Sequence, residues 1–182
     1  SFLVVDCGAK NEKTEEQYYK FLDRDEGSDT LLGYQWNRID EAWVLYARII
    51  KNYDDLEILS NKYFQYLNDA GEWVDGLYFT YSYTDSGKLS EVIIQHWNPV
   101  LDQWMNYFKK TRSFNDSDNI ISCQTQWWKE DAQLWILHQL KSFNWNNDLL
   151  VSDTLKINHP MNDMLTYHNS NIYTYNDLGL KT

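Results

Sequence analysis

Proline and glycine are scarce in this 182-residue chain, which carries two of the first and seven of the second. Cysteine is scarcer still in use: Cys7 and Cys123 lie far apart and form no metal-type spacing. Reduced, buried thiols are the simpler reading, and a disulfide would need a distance that sequence does not give. Basic charge is also short, with 16 Lys and Arg against 27 Asp and Glu, a formal net charge of −11. That balance excludes nucleic acid and anionic membrane surfaces as partners, because both need a basic footprint. No apolar run approaches the roughly 20 residues that cross a bilayer, so membrane insertion is not expected. Phe2-Leu3-Val4-Val5 is too short for the apolar core of a signal peptide. The chain does not open with Met, which reads as processing or excision from something longer.

The usual catalytic constellations are missing as well. There is no Gly-rich phosphate loop, nucleophile elbow or Cys-His dyad. His96, His138, His159 and His168 fall in different units without zinc spacing. His138 and His168 share a slot in successive units, which suggests neighbours on a solvated face. Asp116 with Asp118, and Asp54 with Asp55, offer oxygens for calcium but lack the glycine and distal glutamate of an EF-hand loop. They read as turn formers. Scattered Asp and Glu make no convincing glycosidase pair. The expectation is no enzyme, no metal and no cofactor.

Aromatic residues, by contrast, make up 16% of the chain, which argues against disorder. They are also periodic. Tryptophans seven residues apart recur about every 31 residues, as Trp36/Trp43, Trp97/Trp104 and Trp128/Trp135. Tyr66/Trp73 fills the intervening slot, and Asn158 with Leu165 fills it once more without indoles. A fixed period of this kind marks a repeat architecture. From each second Trp a stretch of about eleven residues runs to another aromatic: Trp43 to Tyr53, Trp73 to Tyr83, Trp104 to Phe114, Trp135 to Trp145, and Leu165 to Tyr175. These stretches are rich in Tyr, Trp, Thr and Ile, which favours strands over helices. Strict alternation then places Trp104, Asn106, Phe108, Lys110, Arg112 and Phe114 on one face, and Trp73, Leu77, Phe79, Tyr81 and Tyr83 likewise. Asn, Asp and Gly follow each aromatic, as in Thr84-Asp85-Ser86-Gly87 and Asn115-Asp116-Ser117-Asp118-Asn119, and these suit hairpin loops.

Six residues separate the members of each pair. If the central four make the loop, the outer two pair and the aromatics face each other across a hairpin. Such a cross-strand pair contributes roughly 0.2–1 kcal/mol and would fix the register. The fold expected is all-β: an antiparallel meander of about five double-strand repeats and about ten strands, forming an elongated twisted or rolled sheet. Residues 1–30 read as a degenerate N-terminal repeat or cap, and 31–182 as one continuous repeat domain. The atypical end units read either as caps of a nearly whole domain or, the reading slightly preferred, as an array cut just after the turn in Asn176-Asp177-Leu178-Gly179-Leu180-Lys181-Thr182.

Tyr83-Thr84-Asp85-Ser86-Gly87-Lys88-Leu89 resembles the tyrosine-aspartate (YD/RHS) repeats, which build long antiparallel strands into a spiralling sheet. The fuller unit is similar to the tryptophan-rich tandem repeats of secreted and cell-surface Bacteroidota proteins, often exported by the type IX system. Gln35-Trp36-Asn37 and Gln95-His96-Trp97-Asn98 carry the first half of that motif, and Tyr173-Thr174-Tyr175-Asn176-Asp177 the second. The resemblance implies a secreted or surface scaffold that meets protein partners or continues a longer array; it brings no catalytic residues. The other expectation is a carbohydrate-binding module in which Trp36, Trp43, Tyr66, Trp73, Trp97, Trp104, Trp128 and Trp135 offer an aromatic face to a glycan. The hairpin clamp alone explains their spacing, so a structural role is the first reading for all eight.

Overall fold

The computed structural model describes residues 19–23, 29–37, 39, 41–158, 165–176 and 181. Of the degenerate unit assigned to residues 1–30, only 19–23, 29 and 30 fall within that range; Cys7 and His159 lie outside the described residues. Eleven strands follow in order: β1 (Tyr19–Asp23), β2 (Thr30–Asn37), β3 (Ala42–Tyr53), β4 (Leu59–Leu67), β5 (Trp73–Tyr83), β6 (Leu89–Asn98), β7 (Gln103–Phe114), β8 (Ile120–Lys129), β9 (Leu134–Asn146), β10 (Leu149–Asn158) and β11 (Leu165–Ile172). They form one sheet in which every strand pairs antiparallel with its neighbours in sequence. The fold is therefore the all-β meander that the alternating, β-branched and aromatic stretches predict. Long strands begin and end at the aromatic landmarks, as β5 does at Trp73 and Tyr83.

The registers contain a second periodicity, which the sequence pattern hides. In each repeat one extra residue is inserted on the strand that follows the Trp slot, three residues beyond it. Gly33 pairs with Ala47 and Tyr34 with Leu45, leaving Tyr46 as the bulge. Gly76, Tyr107, His138 and His168 are the corresponding extra residues opposite β4, β6, β8 and β10. A second row of bulges, at Ser60, Ser90, Ile121 and Val151, recurs near the other end of the strands. A bulge adds one residue to one strand only, so side chains beyond it change face, and the strand bends and twists more. Phe108, Lys110, Arg112 and Phe114 consequently lie on the opposite face from Trp104 and Asn106, and Leu77, Phe79, Tyr81 and Tyr83 on the opposite face from Trp73. The single-face grouping expected from strict alternation is corrected by the bulge.

The two faces differ sharply. On the tryptophan face lie Trp36, Trp43, Trp73, Trp97, Trp104, Trp128 and Trp135. The other, here called the core face, carries the buried side chains. Phe79, Val92 and Ile94 form its centre, with Phe64, Leu77, Tyr81, Leu89, Tyr107 and Phe108 packed around them. Ala47, Cys123, Thr125, Lys110 and Asp153 are also buried there. Hydrogen bonds from side chain to main chain then tie strand ends together on this face. Tyr83 donates its hydroxyl to the Leu59 carbonyl at 2.9 Å, and Trp145 its Nε1–H to Ile120 at 2.8 Å. Tyr175 does the same to Leu150 at 2.8 Å. In three of the five units, at Tyr83, Trp145 and Tyr175, the aromatic ten residues past the Trp slot thus acts as a strand-end tie.

Three clamps form as the spacing predicts. Trp36 pairs with Trp43, Trp97 with Trp104 and Trp128 with Trp135, each around a four-residue loop. Asn158 and Leu165 face each other in the same way in the last hairpin. The Tyr66/Trp73 pair does not form. Leu67 pairs with Trp73 and Tyr66 with Val74, which places Tyr66 on the core face. The hairpin loop there is one residue longer, Asn68-Asp69-Ala70-Gly71-Glu72, so the same sequence spacing yields a different partner.

That five-residue loop recurs at 54–58, 84–88 and 115–119. In each, the side-chain oxygen of the first residue accepts at least one main-chain N–H ahead of it: Thr84 from Lys88, and Asp54 from both Leu56 and Ile58 at 2.9 Å. Asn115 accepts from Ser117 and Asn119 in the same way. The fourth residue takes a left-handed backbone: Gly87 at φ 79° and Gly71 at 77°, but Glu57 and Asp118 at 61°. A side chain in that region costs roughly 1–2 kcal/mol, partly offset by the extra chain entropy glycine loses on folding. Glu57→Gly is therefore expected to stabilise the protein by about 0.5–1 kcal/mol, raising Tm by about 1–4 °C. Thermal unfolding of the variant checks this, and an unchanged or lower Tm counts against the shared loop geometry.

Candidate functional site

The residues singled out in the sequence divide between the faces. Each indole clamp is edge-to-face: Trp36–Trp43 with centroids 5.5 Å apart and planes at 68°, Trp97–Trp104 at 5.2 Å and 67°, and Trp128–Trp135 at 5.1 Å and 65°. That arrangement suits the quadrupoles of two rings and puts each pair's planes far from parallel. Trp43 is 40% exposed and Tyr66 37%, while the other six residues of the set are half-buried. A coplanar row of exposed indoles is therefore not what the clamps make. Around the central clamp the aromatic surface widens, because Tyr78 lies 5.6 Å from Trp104 and stacks on Tyr63 at 4.6 Å. Cations cover two other indoles: Arg48 sits 4.4 Å over Trp73, and Lys109 5.0 Å over Trp135. Beside Trp36 a cleft of about 400 Å³ is lined by Gln35, Asn37, Ile39, Val44 and Leu45.

The other candidates stay apart. His138 is on β9 and His168 on β11, so β10 runs between them. They are not neighbours across the sheet. His138 is instead edge-on to Trp127 at 5.9 Å. Among the described residues no group of three or more His, Cys, Asp and Glu is placed to hold a metal ion. Asp54 and Asn115 serve their own turns, and Asp118 accepts a hydrogen bond from Ser86 at 3.0 Å. No helix among the described residues is long and apolar enough to cross a membrane.

The core face holds what the spacing of tryptophans does not point to. Between β3, β4 and β5 a cavity of about 270 Å³ is lined by Tyr46, Ile49, Lys62, Phe64, Leu77 and Phe79. The Lys62 ammonium lies 4.3 Å over the Phe79 ring and 5.8 Å over Tyr81. Its cross-strand partner is another cation, Lys51. Burial, and then Lys51, hold the Lys62 amine below the ordinary lysine range. From β3 to β10 registers place Lys51, Lys62, Lys110, Arg112, Lys129 and Lys141 on this face, against one strand-borne acid, Asp153. Asp153 is committed elsewhere, accepting from the Tyr173 hydroxyl at 2.5 Å and from Asn171 at 3.1 Å. Among the described residues most other acids sit in the loops, while Asp75 and Glu91 lie on the tryptophan face of β5 and β6. Alternation alone puts Lys62 beside Phe64 and Tyr66, but only the bulge at Gly76 brings Leu77 and Phe79 round to the same side. A search for lysines flanked by aromatics on a long strand is the one sequence signal that would have found it.

Tyrosine phenols on both faces are shifted as well. Burial raises Tyr81 and Tyr63, with Tyr78 adding to the latter. Burial, then Asp54, raises Tyr83; for Tyr173 the bond to Asp153 is the leading cause. A phenol raised in the folded state contributes stability that is complete below its unfolded value near 10 and is lost as pH climbs beyond it. Tm is therefore expected to fall steeply above about pH 10, and Tyr81→Phe to flatten that fall. Melting curves between about pH 8 and 11.5 check this, and a variant that follows the parent curve would count against a buried Tyr81 hydroxyl.

No protein-family model matches the chain, and no curated protein matches it. Among solved structures it is similar to a Bacteroides fragilis protein of unknown function, with a TM-score of 0.52 and 14% identity over 68% of this chain and 91% of that one. Two DUF3836 family proteins, from Parabacteroides distasonis and Bacteroides vulgatus, each reach a TM-score of 0.40 at 16% identity. They cover 48% and 49% of this chain, and 78% and 89% of their own. At 14% identity the Bacteroides fragilis likeness is one of fold: a β-protein whose architecture this chain shares.

Proposed function

We propose that this chain is a non-enzymatic structural and interaction repeat region of a secreted or cell-surface bacterial protein. It belongs in kind with the tryptophan-rich tandem hairpin repeats of Bacteroidota, a type IX export route included. Its work is to extend and to display, meeting protein partners or further units of the same array. The observation that carries this reading is the repeat of clamp, loop and bulge along a sheet in which each strand hydrogen-bonds to its sequence neighbours. Such an array grows by adding units without redesigning a core, because stability is a sum of unit and neighbour terms. The end strands β1 and β11 each have one strand neighbour among the described residues, and an open edge is a template for another strand. No reaction, cofactor, nucleic acid or bilayer enters this reading. Protease shaving of intact producing cells tests it. Loss of the chain from the surface is expected, and full protection until lysis would overturn the surface assignment.

The cleft beside Trp36 favours a second reading, a carbohydrate-binding module. Gln35 and Asn37 amides in one cleft with the half-buried Trp36 indole offer hydrogen bonds and an apolar ring together. A glycan array with the parent chain and Trp36→Ala separates the two readings. Binding lost in the variant supports the module, and a blank array removes it.

A further inference from the structure

We propose that the core-face cavity between β3, β4 and β5 is a binding site for a small monocarboxylate with an apolar body, its carboxylate meeting the Lys62 ammonium. This goes beyond the scaffold reading and does not depend on it. The argument begins with Lys62 itself. Its ammonium faces a cavity whose remaining lining is Tyr46, Ile49, Phe64, Leu77 and Phe79. Among the described residues it makes no hydrogen bond or ion pair; its contacts are the faces of Phe79 and Tyr81. An ammonium carries three donors, and partial burial of a charge is costly unless those donors are met. An aromatic face offsets part of that cost but accepts no N–H at full strength.

The surroundings select the sign of the ligand. Register places no carboxylate on this face of β3, β4, β5 or β6, and the cross-strand neighbour Lys51 repels a cation. The chain as a whole is strongly acidic, so this cationic patch is where an anion escapes repulsion. The lining selects the rest. Apolar walls with one convergent charge are the common form of small-molecule pocket, apolar over most of their area with few polar groups that fix orientation. At about 270 Å³ the cavity holds roughly nine waters' worth of volume, at about 30 Å³ each, which fits an acid of about ten heavy atoms. A carboxylate on Lys62 with an aliphatic or aromatic body against Phe64, Leu77 and Phe79 satisfies both features at once. A second copy of the chain or an acidic protein segment would compete for the same place, and the test distinguishes them by size.

Sodium octanoate and its neutral counterpart 1-octanol serve as probes in isothermal titration calorimetry at neutral pH. Octanoate is expected to bind one site, about tenfold or more tighter than octanol, the margin of one charge-assisted contact. Lys62→Met should remove that margin, leaving octanoate no better than octanol, while Lys51→Met keeps most of it. Equal binding of the two probes by the parent chain, no binding of either, or an unaltered preference in Lys62→Met would overturn the proposal. Should Lys62→Met fail to fold, the Lys62 side-chain resonance of the parent chain decides. Saturating octanoate should raise the pH at which it titrates, and an unmoved titration would equally overturn it. Sedimentation in parallel shows whether the occupant is a copy of the chain. Concentration-dependent dimers dissolved by octanoate but not by octanol support the shared site, and dimers indifferent to both with no octanoate binding rule the small ligand out.

Discussion

Trp104→Ala is expected to destabilise the protein by about 2–4 kcal/mol, with a Tm loss on the order of 10 °C. Three rings lean on this indole: Trp97 at 5.2 Å, Tyr78 at 5.6 Å and Tyr63 at 6.4 Å. The side chain is half-buried, so the loss falls short of a fully enclosed tryptophan. Part of it belongs to the clamp alone. A double-mutant cycle with Trp97→Ala should return a coupling of about 0.5–1.5 kcal/mol, the usual worth of an edge-to-face pair beyond its area. Trp43→Ala should cost less, about 1 kcal/mol, because that indole is 40% exposed. Chemical denaturation of the four variants measures all of these, and equal losses at Trp43 and Trp104 would contradict the packing described.

The second large effect separates two neighbours. Ile94 is 1% exposed at the centre of the core face, between Phe79 and Phe108. Ile93, one residue before it, lies on the tryptophan face between Thr80 and Lys109 and is half-buried. Ile94→Ala leaves a cavity that flanking strands cannot close, and about 2–5 kcal/mol should be lost. For Ile93→Ala the loss should be about 1 kcal/mol, since water already reaches that side chain. Denaturant midpoints at constant m-value give both numbers. A reversal of the order would mean that the two faces have been exchanged.

Much of this fold was legible because hairpin spacing is a local matter. Six residues between Trp97 and Trp104 admit a four-residue loop closed by Asn98 and Gln103, and the structure has it. The ends of β5 and β7 fall where Trp73, Tyr83 and Phe114 mark them. Faces were less legible. A bulge depends on how two strands match along their whole length, and Gly76, Tyr107 and His138 share no residue type that announces one. Sequence alternation therefore carried Phe108 and Lys110 to the wrong side. Tyr66 failed for a related reason: Gly71 at φ 77° adds a residue to the loop and hands the clamp position to Leu67. The Lys62 cavity was invisible on the same ground, since its walls converge only after a bulge has turned β5.

The bulged register is the central claim, and interstrand NOEs between β6 and β7 test it most directly. Trp97 should lie opposite Trp104 and Gln95 opposite Asn106, after which the pairing advances by one so that Ile94 lies opposite Phe108 and Val92 opposite Lys110. Contacts of Ile94 with Tyr107, and of Val92 with Lys109, as the direct cross-strand partners would show an unbroken ladder and contradict the account.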